Sequence, residues 1–333
     1  MSMHNYCTMF DLNYLDRGLV LYQSMVERIG EFHLFVVAFD DETFAILEKL
    51  SLPNLTPVRL IDFEDAQLVK VKGTRTWTEY VWTCTPSVIR YVLQTHNLPD
   101  VTYLDADLFF FGSPEMLFRE LEGGSILLTK HNYSARYDQA EKSGIYCVQY
   151  MTFRNDDNGR SALEWWRDSC IEWCYNRFVD GRFGDQKYLD DWTTRFEGVR
   201  VSQNLGAGIA PWNVQGCSFA IQDDELRFHS SQTEGTVIFY HFHQLRLYEN
   251  GYVDLGIYSL TKDQIKKIYA PYVKGLDQAR RALGARIGRE PRIKYQVYRR
   301  SWRTPVKWLH RVYLGGYNIN RTQHLIASST WQK

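Results

Sequence analysis

Two carboxylates two residues apart, Asp105 and Asp107, directly follow the apolar run Val101-Thr102-Tyr103-Leu104. That run reads as a buried strand, and open α/β sheets bind ligands beyond the carboxyl ends of their strands. Desolvating two acids at such a place is costly unless a cation meets them. A divalent metal ion holding a diphosphate is the economical chemistry, because hard oxygen ligands suit magnesium or manganese. Later, Tyr240-His241-Phe242-His243 closes another apolar run, and strand alternation puts His241 and His243 on one face. Either imidazole could join the two acids in a protein half-shell, with diphosphate oxygens and water completing it.

The elements that must carry these residues alternate along the first third of the chain. Apolar periodicity predicts a strand at 4–10, a helix from about 16 to 30, a strand at 33–39, a helix at 41–50 and a strand around 56–61. Alternation at these lengths implies right-handed βαβ units and a parallel sheet. Thr85-Pro86 has the signature of a helix start, giving a helix to about Asn97 ahead of the strand that ends at Asp105. Strands at 108–111, 125–129, 145–153 and 237–242 follow. A Trp-rich helix is expected at 162–178, its Trp165, Trp166 and Trp173 read as core. Beyond residue 260 the pattern is helical and basic, which divides the chain into a domain at 1–260 and an extension at 261–333.

Charge separates the same two parts. The formal net charge is zero, yet residues 278–333 carry thirteen Lys and Arg against the single acid Glu290. Within that stretch Arg299, Arg300, Trp302, Arg303, Lys307, Trp308, His310, Arg311 and Tyr313 interleave cations with aromatics, as an interfacial segment on anionic lipid does. Nucleic acid would accept the same patch but is not expected as a partner. The six cysteines lack paired zinc spacing and read as reduced thiols of a cytoplasmic protein. No apolar run approaches a membrane span, and the N-terminus enters a strand pattern at once, so the chain is expected to be cytoplasmic, at most peripheral on the inner face of the membrane.

Taken in order, these segments resemble the GT-A glycosyltransferases, and most of all glycosyltransferase family 8 and its bacterial relatives. The resemblance spans roughly residues 4 to 245. Phosphatases of the haloacid type also carry Asp-x-Asp after a strand, but there it continues into a Gly-Thr turn, whereas Leu108-Phe109-Phe110-Phe111 follows here. The resemblance implies an α/β fold of the GT-A, Rossmann-like kind, with a mostly parallel sheet flanked by helices and a basic helical C-terminal extension. It implies Asp105, Asp107 and His241 as ligands of manganese or magnesium. Phe10-Asp11-Leu12-Asn13-Tyr14 resembles the family's nucleoside segment, so Asp11, Asn13 and Tyr14 would bind uracil and ribose. Arg90 resembles the arginine that meets the donor near the metal. In Phe183-Gly184-Asp185-Gln186, Asp185 would contact the donor sugar and Gln186 would lie beneath the anomeric carbon. The family's Gly-x-x-Lys-Pro-Trp is replaced by Gln244-Leu245-Arg246, leaving Arg246 as the diphosphate's cationic partner. Of the family's Asn-Ala-Gly only Gly144 is matched.

The resemblance therefore implies a metal-dependent hexosyltransferase using a UDP-sugar as donor, with retention, toward a cell-surface glycan or lipid-linked acceptor. An inverting enzyme of the same fold would need a carboxylate base such as Asp190 or Asp191. A sugar-nucleotide or glycan-binding protein without turnover is the alternative outside enzymes. Ala210-Pro211-Trp212-Asn213, in an irregular Gly-rich stretch, reads equally as a sugar-stacking segment or as a loop anchor.

Overall fold

A computed structural model describes residues 3–231, 233–288, 293, 295, 304–313 and 316–330, with the side chains at 304, 305, 307, 308 and 310 left out. The chain forms two compact units. The first comprises Met1–Leu12, Ile29–Ala106 and Pro114–Gly208, and the second Asn13–Arg28, Asp107–Ser113 and Ile209–Lys333. The second unit thus takes in the basic C-terminal residues together with two short segments from the N-terminal half.

The first unit is built on a seven-stranded sheet. Its strands are β1 (His4–Phe10), β2 (Phe32–Ala38), β3 (Leu55–Arg59), β4 (Asp100–Leu104), β6 (Ile126–Lys130), β7 (Tyr146–Arg154) and β8 (Val199–Val201); β5 (Leu108–Phe110) belongs to the second unit. The spatial order is β3-β2-β1-β4-β7-β6-β8. Pairs β1/β2, β2/β3, β1/β4 and β6/β8 are parallel, and only β7 runs against both of its neighbours. This is the mostly parallel, helix-flanked α/β sheet expected above. Strands β1 and β7 are buried along nearly their whole length, as covering both faces with helices requires. Val88, Ile89, Val92, Phe153, Trp166 and Trp192 lie in the core on one face.

Two helices start elsewhere than the sequence suggests. The helix placed at Thr85-Pro86 begins at Trp77 and runs to Thr95, with Pro86 inside it. Thr76 and Glu79 form a reciprocal capping box that outcompetes the proline signal. The Trp-rich helix is Asp157–Glu172. Its cap, Asp156, accepts from Gly159 N at 2.8 Å. A Cβ on Gly159 would come within 2.1 Å of the Arg154 carbonyl, so only glycine fits this entry. Trp173 already lies beyond the helix end.

In the second unit the Leu15–Arg28 helix packs on the Ala270–Ile287 helix, where a Cβ on Gly275 would stand 3.3 Å from Val20. Strand β5 pairs antiparallel with Phe239–His241, matching His241 to Leu108 and Tyr240 to Phe109. A meander of Ser218–Gln222, Glu225–His229 and Glu234–Thr236 and a small sheet of Arg246–Leu247, Tyr252–Asp254 and Ile319–Arg321 complete it. The sequence reading missed these, and the strand at Ile319–Arg321 corrects its purely helical C-terminus. Runs of two to five residues carry too little period to be legible. The first hairpin turns on Asp223 and Asp224, both with positive φ, as a tight two-residue turn requires.

Two buried acids of this unit draw arginines from the basic region. Arg280 Nε donates to Asp16 at 2.7 Å, and Arg311 bonds Asp254 through both terminal nitrogens at 2.6 and 2.7 Å. Arg311 is thereby committed inside the fold and is not a free lipid-facing cation. Arg299, Arg300, Trp302 and Arg303 lie outside the described residues, as do the side chains of Lys307, Trp308 and His310. Among the described residues no helix is long and apolar enough to cross a membrane, and all six cysteines are free thiols. Removing the Thr76 cap by Thr76→Ala should cost about 1 kcal/mol of stability, read as a shifted urea midpoint at unchanged slope.

Candidate functional site

Asp105 ends β4, its amide bonded to the Gln149 carbonyl at 3.0 Å and its carboxylate accepting from Tyr103 Oη at 3.1 Å. Two residues on, Asp107 leads into β5. The β5 register decides what meets it. His241 sits opposite Leu108, Phe242 N donates to the Asp107 carbonyl at 3.0 Å, and His241 Nε2 stands 3.1 Å from Asp107 Oδ1. One side-chain ligand atom from each of Asp105, Asp107 and His241 falls within 4.8 Å of the other two. The choice between histidines left open by alternation therefore falls on His241.

Neighbouring charges keep Asp107 ionised. Burial alone would raise the Asp107 carboxyl, but the charge and hydrogen bond of His241, then His243 and Arg17, bring it down to about 2. His243 is pushed down to about 4, first by burial and then by His241, so its ring is neutral at pH 7. Trp212 stands edge-on to both imidazoles at 5.4 Å and orients them. Two carboxylates and one imidazole suit magnesium or manganese, so the residues present fit the ion that the sequence implied. Trp212 itself is 4% exposed, which selects the loop-anchor reading over the sugar-stacking one: a ring packed into the wall behind the histidines cannot stack on a sugar.

The expected donor residues of the first unit divide. Asp185 is 3% exposed, and although it begins a short 3-10 helix its side chain makes no cap bond. Its carboxylate accepts from Thr85 Oγ1 at 2.8 Å, and its carbonyl accepts from Trp166 Nε1 at 2.9 Å. Gln186 follows, half-buried. A Cβ on Gly144 would meet Asp190 Oδ1 at 2.9 Å and the Gln186 carbonyl at 3.4 Å, and its φ is +96°, so glycine is required beside Gln186. Asp11 is held by Trp77 Nε1 at 3.1 Å, a contact no sequence signal announced.

Arg90 pairs with Glu164 at 2.5 Å, and five residues of helix turn it about 140° away from Thr85, the residue that reaches Asp185. The carboxylates available to an inverting enzyme are also engaged: Asp190 with Lys187 and the Ile145 amide, Asp191 with Arg195. In the second unit Asn13 is half-buried, Tyr14 is 44% exposed and Arg246 is exposed, its charge acting on His243. Sequence reasoning overlooked Arg17, whose guanidinium lies 4.6 Å from the Tyr14 ring centre.

Burial, outweighing the Thr85 bond and reinforced by the Asp105 charge, pushes the Asp185 carboxyl up from 3.8 to about 7. The folded chain thus keeps a proton that the unfolded chain releases, so stability is full below about pH 4 and declines as pH rises toward 7. Asp185→Asn should match the parent near pH 4 and exceed it by on the order of 2–4 kcal/mol near pH 8, as chemical denaturation at both pH values will read.

No family model matches the chain. Among solved structures, the galactosyltransferase LgtC in complex with donor and acceptor sugar analogs is similar over 72% of this chain and 87% of its own, at 13% identity and a TM-score of 0.48. The uncharacterized protein YfnF of Bacillus subtilis (strain 168) is 31% identical over 250 residues, covering 73% of this chain and 82% of YfnF. The uncharacterized protein YfnD of the same organism is 30% identical over 282 residues, covering 83% of this chain and 89% of YfnD. With identity at that level sustained along most of both partners, the chain belongs to the protein family of YfnD and YfnF.

Proposed function

We propose that this protein is a metal-dependent glycosyltransferase that moves a hexose from a nucleoside diphosphate, UDP by preference, to a cell-surface glycan or lipid-linked acceptor with retention of configuration. The observation that carries the reading is the cluster of Asp105, Asp107 and His241 at the end of a buried strand, with Asp107 kept ionised by its imidazole neighbour. A divalent cation held there would offset the charge that develops on the leaving diphosphate.

The chain's own residues supply the rest. Asp11, Asn13 and Tyr14 bind the nucleoside, and Arg246 is the exposed cation for the diphosphate. Asp185, its carboxyl pushed up to about 7, can donate a hydrogen bond to a donor-sugar hydroxyl in its protonated form as well as accept one. Gln186 is too weak a nucleophile to form a stable adduct, so it steadies positive charge at the anomeric carbon while the acceptor attacks from the face the diphosphate leaves. No observation favours inversion, because Asp190 and Asp191 are both engaged in ion pairs.

Calorimetric titration of UDP should show binding that manganese strengthens, and Asp107→Ala should abolish that strengthening. Equal affinity with and without manganese would sink the metal role. Slow UDP release from one member of a panel of UDP, GDP and dTDP sugars is expected, whereas a binding protein without turnover would release none. A product of inverted configuration would remove the role given to Gln186.

Membrane contact is a further part of the proposal. On the Thr304–Tyr313 helix Val306, Leu309, Val312 and Tyr313 are 65%, 58%, 45% and 86% exposed, and the surrounding sequence is basic. Such a face suits the inner surface of an anionic membrane. The full chain should sediment with phosphatidylserine vesicles at low salt, less so at high salt, and less in Leu309→Glu; no sedimentation at low salt would rule the contact out.

A further inference from the structure

Arg17 occupies a place that works against it twice. The first turn of the Leu15–Arg28 helix repels a cation, and the side chain is only 10% exposed, so its charge is desolvated. Both of its terminal nitrogens are nevertheless engaged. Nη1 donates to Asp16 Oδ1 at 3.2 Å and to the Asn13 carbonyl at 3.4 Å, and Nη2 donates to the Leu245 carbonyl at 3.2 Å. The guanidinium also covers one face of Tyr14, whose ring stays 44% exposed.

Leu245 closes a tight turn, its amide bonded to the Phe242 carbonyl at 3.2 Å. Within that turn Gln244 takes φ +65°, a left-handed conformation that costs a residue with a side chain on the order of 1 kcal/mol. The bond from Arg17 holds the turn from outside. On one side of the turn is His241, on the other the exposed Arg246.

Asp16 is wholly buried and is shared by Arg17 and Arg280. Two guanidiniums against one carboxylate leave a surplus positive charge.

We propose that Arg17 is a positioning residue of the donor site: one buried guanidinium sets the Tyr14 ring for the nucleobase and holds the Leu245 carbonyl at the end of the turn that leads into Arg246. The inference rests on the donor reading above. It differs from a purely structural ion pair in what its removal does to two ligands. Loosening the site would weaken nucleotide and metal together. Removing a cation relieves repulsion on an incoming ion, so metal affinity should hold or rise.

The test compares the full chain with Arg17→Gln, Arg17→Lys and Arg280→Gln, measuring UDP affinity in manganese by calorimetry and manganese affinity alone by electron paramagnetic resonance. Arg17→Gln is expected to weaken UDP about tenfold or more with manganese affinity undiminished. Arg17→Lys keeps the charge without the fork and should recover only part of the loss. Arg280→Gln strips the same buried Asp16 of its other partner and should leave UDP affinity within about threefold of the parent. Unchanged UDP affinity in Arg17→Gln, a parallel loss of both ligands, or an equal UDP loss in Arg280→Gln would each overturn the role. If Arg17→Gln fails to fold, Arg17→Lys decides, and parental UDP affinity there overturns it. A parent protein that binds no UDP in manganese would sink the donor reading itself.

Discussion

Keeping acids ionised where a buried strand ends is the constraint on which the rest of this structure depends. At Asp107 the desolvation cost is offset by His241, and the antiparallel register of β5 with Phe239–His241 puts that imidazole within hydrogen-bonding distance. Trp212 and His243 close around the pair and Arg17 adds positive charge, so the carboxylate is held ready for a cation. Asp185 lacks such compensation. A single hydroxyl from Thr85 does not balance its burial, and it retains a proton near neutrality. One environment keeps a carboxylate ionised and the other lets it hold a proton toward neutrality, a difference of surroundings and not of residue type.

The same balance accounts for part of the uneven charge. Asp16 and Asp254 are buried acids of the second unit, and each takes an arginine from the basic C-terminal region, Arg280 and Arg311. A share of the excess cations there is therefore internal counter-charge. The exposed apolar residues of the Thr304–Tyr313 helix are a separate feature of that region, and they present a surface that those ion pairs leave open.

Long periodic elements were legible without coordinates. Strand His4–Phe10 and helix Asp41–Leu50 begin and end where their patterns do, and the βαβ alternation implied the parallel side of the sheet. Helix starts were less legible because two signals competed. Thr85-Pro86 looks like a beginning, yet the Thr76–Glu79 capping box nine residues earlier satisfies the first amides and lets the helix run through the proline. Short strands such as Arg246–Leu247 and Ile319–Arg321 have no period to read and exist through pairing alone.

For the site, residue types and order along the chain sufficed to single out Asp105, Asp107, Asp185 and the His241/His243 pair, because carboxylates after a buried strand are costly without a purpose. Which histidine meets Asp107, that Arg90 turns to Glu164, that Trp212 is wall and not platform, and that Arg17 reaches from a helix N-terminus to the Leu245 carbonyl were decided only in three dimensions. The physical reason is range. Composition and periodicity report local preference, whereas partners 134 or 228 residues apart are joined by strand register and helix phase, which local sequence does not encode.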